Sequence, residues 1–149
     1  MFRNVVVAVD GSKHAMKAAV AAIDIAKEHG SKLHFLTVRH AKSAVVDDEL
    51  RHYMEIEHLT DLPDEMVDDE SKGLLGYVRE QAAQKGVDKV ETVVRTGQPA
   101  RCIVDFAREV GADLIMLGSR GLGDVGGFLL GSVSHKVSSL AEVSCLIVK

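Results

Sequence analysis

The sequence of 149 residues suits one domain, long enough to bury roughly two-thirds of the surface that its unfolded chain exposes. An apolar fraction of 46% with 27% charged residues is ordinary for a soluble globular protein, and no apolar run reaches the roughly 18 residues of a membrane span. The net charge of −4, the lack of Trp and the lack of a basic stripe argue against nucleic-acid binding.

Charge is distributed unevenly along the chain. Eleven acidic residues and one basic residue lie between Asp47 and Glu70, a local sum of −10, which leaves eleven acidic and seventeen basic residues elsewhere. The acidic charge is therefore confined to one stretch, and the remaining body is mildly basic.

The N-terminal segment predicts a buried strand followed by a helix. The run 3–9 is rich in valine and continuous rather than alternating, which is typical of a strand buried on both faces of a parallel sheet. Asp10-Gly11-Ser12 then predicts a turn, with Ser12 as the N-cap of a helix that carries small apolar residues at helical spacing. Gly30 closes this helix.

Strands and helices continue to alternate toward the C-terminus. Between about 40 and 71 the pattern weakens into an acidic insertion, with some helix expected at 48–58 and Pro63 breaking any longer period. The other predicted elements are a strand at 32–38, a helix at 64–85, a strand at 88–95, a helix from Pro99 to Gly111, a strand at 113–117, a helix at 132–141 and a strand at 143–148.

This alternation predicts a single α/β domain over residues 1–149. Its sheet is expected to be open, five-stranded and mostly parallel, with helices on both faces and the Rossmann-like strand order 3-2-1-4-5. In that order the switch point lies between strands 1 and 4, and ligands bind outside the carboxyl ends of the strands there. Asp10 and Gly118 follow those two strands, so we expect them to meet in one crevice.

A glycine-rich connection joins the fourth strand to the last helix. Six of the thirteen glycines fall between Gly118 and Gly131, where no side chain can shield the backbone amides. The start of a helix offers unpaired N–H donors and a partial positive charge, which together bind phosphate. The sequence therefore predicts a nucleotide phosphate site in this loop.

The spacing of these glycines resembles a known family. Gly118-x-x-Gly121, nine residues, then Gly131-Ser132 is similar to the glycine signature of the ATP-binding branch of the universal stress protein family, and the Val-Ala-Val-Asp10-Gly-Ser segment is similar to that family as well. The resemblance implies the adenine nucleotide alpha-hydrolase-like fold, ATP binding, a role in signalling or stress adaptation, and homodimers that pair through the last strand. Ser144 departs from the family pattern, in which proline usually precedes that strand, and this bears on the dimer edge.

The resemblance also implies which residues bind the nucleotide. Asp10 would lie by the adenine or ribose, the backbone of Val38 would meet the adenine edge, and Arg120 would lie along the phosphates, with Ser132 and Ser134 as hydroxyl donors. Magnesium would arrive with the phosphates, and no residue is assigned to catalysis or to a metal of its own. The complete implied set is Val9, Asp10, Val38, Leu117, Gly118, Arg120, Gly121, Gly131, Ser132, Val133 and Ser134.

Each of these assignments has a structural alternative. The glycines Gly118 and Gly121 would also suit a tight turn, Asp10 would suit a cap for the first helix, and Ser132 would suit an N-cap without ligand contact. Arg120 is long enough to point into solvent.

Other site patterns fit poorly. The Walker pattern is absent. Gly121, Gly123 and Gly126 come close to the dinucleotide pattern, but they lie within the loop rather than directly at a helix start, which argues against a dinucleotide site. There is no Gly-x-Ser-x-Gly elbow, and His135 reads as a surface residue of a helix. The histidines at 34, 40, 52 and 58 lack the paired spacing of a metal site.

Three functions are compatible with these patterns. The favoured one is a cytoplasmic regulatory protein that holds ATP and signals through a homodimer or a protein partner such as a transporter or regulator. The alternatives are a slow ATPase or nucleotidyl-transfer enzyme, and a nucleotide-independent dimeric adaptor that uses the acidic segment as its contact surface. Cys102 and Cys145 read as buried free thiols, which suits a reducing cytoplasm, and the N-terminus enters a strand directly without the regions of a signal peptide.

Overall fold

A computed structural model describes residues 1–39, 67–122 and 130–149. Across these ranges none of the helices has the length and apolar character needed to cross a membrane. The elements, in chain order, are β1 (Asn4–Ala8), α1 (Lys13–His29), β2 (Lys32–Arg39), α2 (Asp69–Gln84), β3 (Val90–Thr96), α3 (Pro99–Glu109), β4 (Leu114–Gly118), α4 (Ser132–Leu140) and β5 (Ser144–Val148).

The predicted sheet is confirmed. Its five strands lie in the order β3-β2-β1-β4-β5, and each of the four neighbouring pairs is parallel. β1 occupies the centre, where Val5, Val6 and Val7 are fully buried, as expected for a continuous apolar strand. The carboxyl ends of β1 and β4 therefore lie side by side.

Helices cover both faces of the sheet and form two cores. Alternate residues of β1 contribute to different faces: Val5 and Val7 pack with apolar residues of α1 and α2, whereas Val6 packs with residues of α3 and α4. The sheet is thus the middle layer of the fold.

The first helix approaches the sheet closely. Ser12 caps α1 by accepting a hydrogen bond from Ala15 N–H, and Gly30 ends the helix in the left-handed conformation at φ 68°, both as predicted. A Cβ atom at Gly118 would lie only 2.5 Å from the carbonyl carbon of His14. Glycine is therefore required at the end of β4 because the first turn of α1 occupies the space of a side chain.

One helix begins later than predicted. The sequence pattern placed a helix start near residue 64, but α2 begins at Asp69, because the side chain of Asp68 accepts a hydrogen bond from Ser71 N–H and acts as the N-cap. The first turn of α2 therefore includes the last residues of the predicted insertion at 40–71. The helix expected at 48–58 lies outside the described residues.

Candidate functional site

A cavity opens at the carboxyl ends of β1, β2 and β4. Its volume is about 820 Å³, within the range of small-molecule sites, and it lies at the switch point of the sheet. Asp10 and Gly118 both line it, so the crevice expected between them is present. Ten of the eleven predicted site residues line this cavity: Val9, Asp10, Val38, Leu117, Gly118, Arg120, Gly121, Ser132, Val133 and Ser134.

The turn after β1 is tied to the loop after β4. Asp10 Oδ1 accepts from Ser12 N–H at 2.9 Å, and Asp10 Oδ2 accepts from Leu122 N–H at 3.3 Å. Ser12 Oγ donates to the carbonyl of Arg120 at 3.4 Å. Asp10 therefore supports the turn before α1, as its structural alternative supposed, and also reaches the glycine loop.

The base of the glycine loop is closed by two hydrogen bonds. Gly131 N–H donates to the carbonyl of Ser119 at 2.7 Å, and Ser134 Oγ donates to the carbonyl of Gly118 at 2.6 Å. Ser134 lines the cavity, and its hydroxyl proton is donated to the protein in this structure. Gly131 is not among the described lining residues, and its N–H group holds the base of the loop. The assignment of both residues to the ligand stays a prediction.

The start of α4 faces the cavity without a side-chain cap. Its N-cap is Gly131, which has no side chain to accept the first amides, whereas the other three helices are capped by the side chains of Ser12, Asp68 and Gln98. Ser132 is the first helical residue, so its reading as an N-cap is wrong. The N–H groups of the first turn have no partner within the helix, and the three residues that carry them, Ser132, Val133 and Ser134, line the cavity.

Apolar groups line the cavity beside the ends of β1 and β2. Val9 N–H donates to the carbonyl of Leu36 at 2.9 Å, and β1 ends at Ala8. Because peptide groups alternate in direction along a strand, those of Val38 point to the same side as those of Leu36, past the end of β1 and into the crevice. The apolar residues that line the cavity include Ala8, Leu36, Val38, Pro99 and Ile103.

Three charged residues of the cavity, Arg39, Asp68 and Glu70, were missed by the sequence predictions. Arg39 Nε lies 2.9 Å from Asp68 Oδ2, and both residues line the cavity. Hydrogen bonds from the backbone and hydroxyl of Ser71, together with the charge of Arg39, lower the pKa of Asp68 despite its partial desolvation. The cap spacing Asp68-x-x-Ser71 was a usable signal for the helix start, but nothing in the sequence paired it with Arg39.

The remaining candidates from the sequence lie away from the cavity. His34 is buried on β2 with Nδ1 3.1 Å from Glu91 Oε2, and burial lowers its pKa. The histidines at 40, 52 and 58 lie outside the described residues. Cys102 and Cys145 are both free, as predicted, but half-buried rather than buried.

Comparison with known proteins gives one consistent result. A sequence model of the "Universal stress protein family" matches residues 1–149. Universal stress protein YxiE of Bacillus subtilis is 39% identical over 150 residues, which cover 100% of both chains. A universal stress protein solved in complex with cAMP is 26% identical with a TM-score of 0.71, covering 99% of this chain and 96% of the other. UspA from Lactobacillus plantarum shares the fold with a TM-score of 0.79 at 23% identity, covering 99% and 98%.

Proposed function

Since this chain belongs to the universal stress protein family, we propose that it is a regulatory protein of the ATP-binding branch. ATP binds in the cavity at the carboxyl ends of β1, β2 and β4, and the occupied protein signals through contacts with a second copy or another protein. The relative solved with cAMP supports an adenine nucleotide as the ligand class.

The single observation that carries this proposal is the uncapped start of α4. Ser132, Val133 and Ser134 of its first turn line a cavity that glycine residues also line, so anionic oxygens can approach the backbone N–H groups closely. Arg120 lines the same cavity and supplies a cation for the phosphates. Magnesium enters with the phosphates in this proposal.

The base and ribose occupy the opposite, apolar end. The Val38 peptide groups supply a donor and an acceptor for the edge of adenine. Asp10 already accepts two hydrogen bonds from the protein, but a carboxylate has about four lone-pair sites and can also accept from a ribose hydroxyl.

Isothermal titration of the purified protein with ATP tests the proposal. We expect saturable binding with a Kd well below 1 mM, about −4 kcal/mol of binding free energy or better. Mass spectrometry of nucleotide that copurifies with the protein provides an independent check. A wild-type protein that binds no ATP up to millimolar concentration would contradict the assignment.

The two rival functions are separated by further measurements on the same samples. Release of ADP that persists through extensive purification and falls in a Gly121→Val variant would favour a slow ATPase. Partner binding that is indifferent to ATP would favour an adaptor.

The free thiols of Cys102 and Cys145, whose pKa values burial raises, support a cytoplasmic location.

We also infer that two copies pair through β5. This strand is an edge of the sheet, and Ser144 begins it with an N–H group where the family usually has proline just before the strand. Leu140 and Leu146 are 56% and 41% exposed at this side. Sedimentation equilibrium should give a dimer for the wild type and a monomer for Leu146→Lys; a monomeric wild type at micromolar concentration would contradict the pairing.

A further inference from the structure

The ion pair between Arg39 and Asp68 lies in the wall of the cavity. Arg39 is the last residue of β2, and its carbonyl accepts from Gly97 N–H at 2.9 Å, which anchors its backbone to the loop after β3. The Arg39 side chain is 22% exposed and that of Asp68 is 32% exposed. Arg39 is therefore held at two places: its backbone is bonded to the loop after β3, and its guanidinium is paired with Asp68 at the start of α2.

Asp68 is committed to holding this arrangement. Its Oδ1 accepts from Ser71 N–H at 2.8 Å, and its Oδ2 accepts from Ser71 Oγ at 3.0 Å in addition to pairing with Arg39 Nε at 2.9 Å. A guanidinium is planar, so a partner that fixes Nε also restricts the orientation of the whole plane. Within the described ranges the structure forms no second hydrogen bond or ion pair to this guanidinium, so its terminal nitrogens make no polar contact with those residues.

The cavity contains no aromatic side chain among the described residues that line it. The planar cations among these residues are the guanidiniums of Arg39 and Arg120. Guanidinium groups stack on aromatic rings and serve as base platforms in nucleotide recognition. Arg39 directly follows Val38 and also lines the cavity, so its backbone lies beside the peptide groups that we assign to the base, while its side chain leaves the opposite face of β2 toward Asp68.

We propose that Arg39 is a specificity-determining residue that stacks its guanidinium on the nucleobase, with Asp68 as the residue that positions it. This inference rests on the proposed function, because it names a contact to the base of the same nucleotide. The phosphates lie elsewhere: β2 and β4 are separated by β1, which places Arg39 about 10 Å across the sheet from the strand that leads to the glycine loop.

Three ligands distinguish this contact from an anion site. We expect Arg39→Met to weaken binding of ATP and of adenosine by the same factor, about fivefold to thirtyfold. Inorganic tripolyphosphate, which has no base, should bind the variant as it binds the wild type. The matched control is Arg101→Met, because Arg101 is an exposed arginine on α3 outside the cavity, and its affinities should equal those of the wild type.

Two conservative variants separate stacking from a merely structural ion pair. Lysine keeps the charge opposite Asp68 but has no planar group, so Arg39→Lys should retain the thermal midpoint and still lose affinity for adenosine. Asp68→Asn keeps the N-cap of α2 but removes the charge that holds the guanidinium, so it should weaken adenosine binding less than Arg39→Met does.

The outcomes are decisive in both directions. Full adenosine affinity in Arg39→Lys would overturn the proposal in favour of a structural ion pair. An equal loss for tripolyphosphate and adenosine in Arg39→Met would overturn it in favour of an anion site. Failure of the proposed function would give a different result, because the wild type itself would then bind neither ATP nor adenosine. That result would also overturn the stacking role of Arg39.

Discussion

Replacing Gly118 with alanine should lower the free energy of unfolding by about 3 kcal/mol, at the upper end of overpacking costs. A Cβ atom at this position would lie 2.5 Å from the carbonyl carbon of His14 and 2.6 Å from the backbone nitrogen of Ala15. Both atoms belong to the first turn of α1, so no side-chain rotation can relieve the contact. Urea denaturation followed by circular dichroism measures the change.

A matched glycine on a helix provides the control. Gly76 lies on the exposed side of α2, and no atom lies within 4 Å of a Cβ built there. Gly76→Ala should therefore stabilise the protein by about 0.5–1 kcal/mol, because alanine loses less backbone entropy in a helix. Equal stabilities for the Gly118→Ala and wild-type proteins would mean that α1 can shift away from β4 at little cost.

Replacing Ser132 with proline should reduce ATP affinity about tenfold to a hundredfold while the fold is retained. Proline is tolerated at the first position of a helix, and Gly131, at φ −58° and ψ 158°, already has the conformation that a residue before proline requires. The substitution removes one N–H group that the proposal directs at a phosphate. Hydrogen bonds to charged groups contribute about 1.5–3 kcal/mol, and the loss follows from that value.

A milder substitution and a second ligand complete this experiment. Ser132→Ala removes the hydroxyl and keeps the N–H group, so its ATP affinity should fall less than that of the proline variant. Adenosine, which has no phosphate, should bind both variants equally well. A proline variant with wild-type affinity for ATP would show that the phosphates are not held at the start of α4.

The sheet was predictable because its signals are local. A continuous apolar strand such as Val5–Val7 is buried on both faces, which happens in the middle of a parallel sheet. A glycine such as Gly30 ends a helix because it adopts the left-handed conformation without a steric clash. Once the strand order follows, so does the meeting of Asp10 and Gly118. The general location of the crevice can therefore be predicted from the hydrophobic periodicity and the strand order.

Individual roles within the site were harder to predict. Ser134 and Gly131 are both predicted to contact the ligand, and their hydrogen bonds also close the base of the loop onto Gly118 and Ser119. A glycine signature identifies the loop, but it does not show which hydrogen-bond donors of the loop pair with acceptors of the protein itself. Arg39 and Asp68 were not predicted at all, because the stretch between them carries no pattern that would bring them together.

The neighbouring positions of β1 and β4 have a consequence for the order of folding. These strands are joined by parallel pairing, for example of Val6 with Ile115, although most of the chain lies between them. Such distant pairings are slow to form because their loop-closure entropy must be lost first. The crevice comes into existence only when β4 docks beside β1, so a bound nucleotide stabilises the completed sheet and none of the partly assembled chains that precede it.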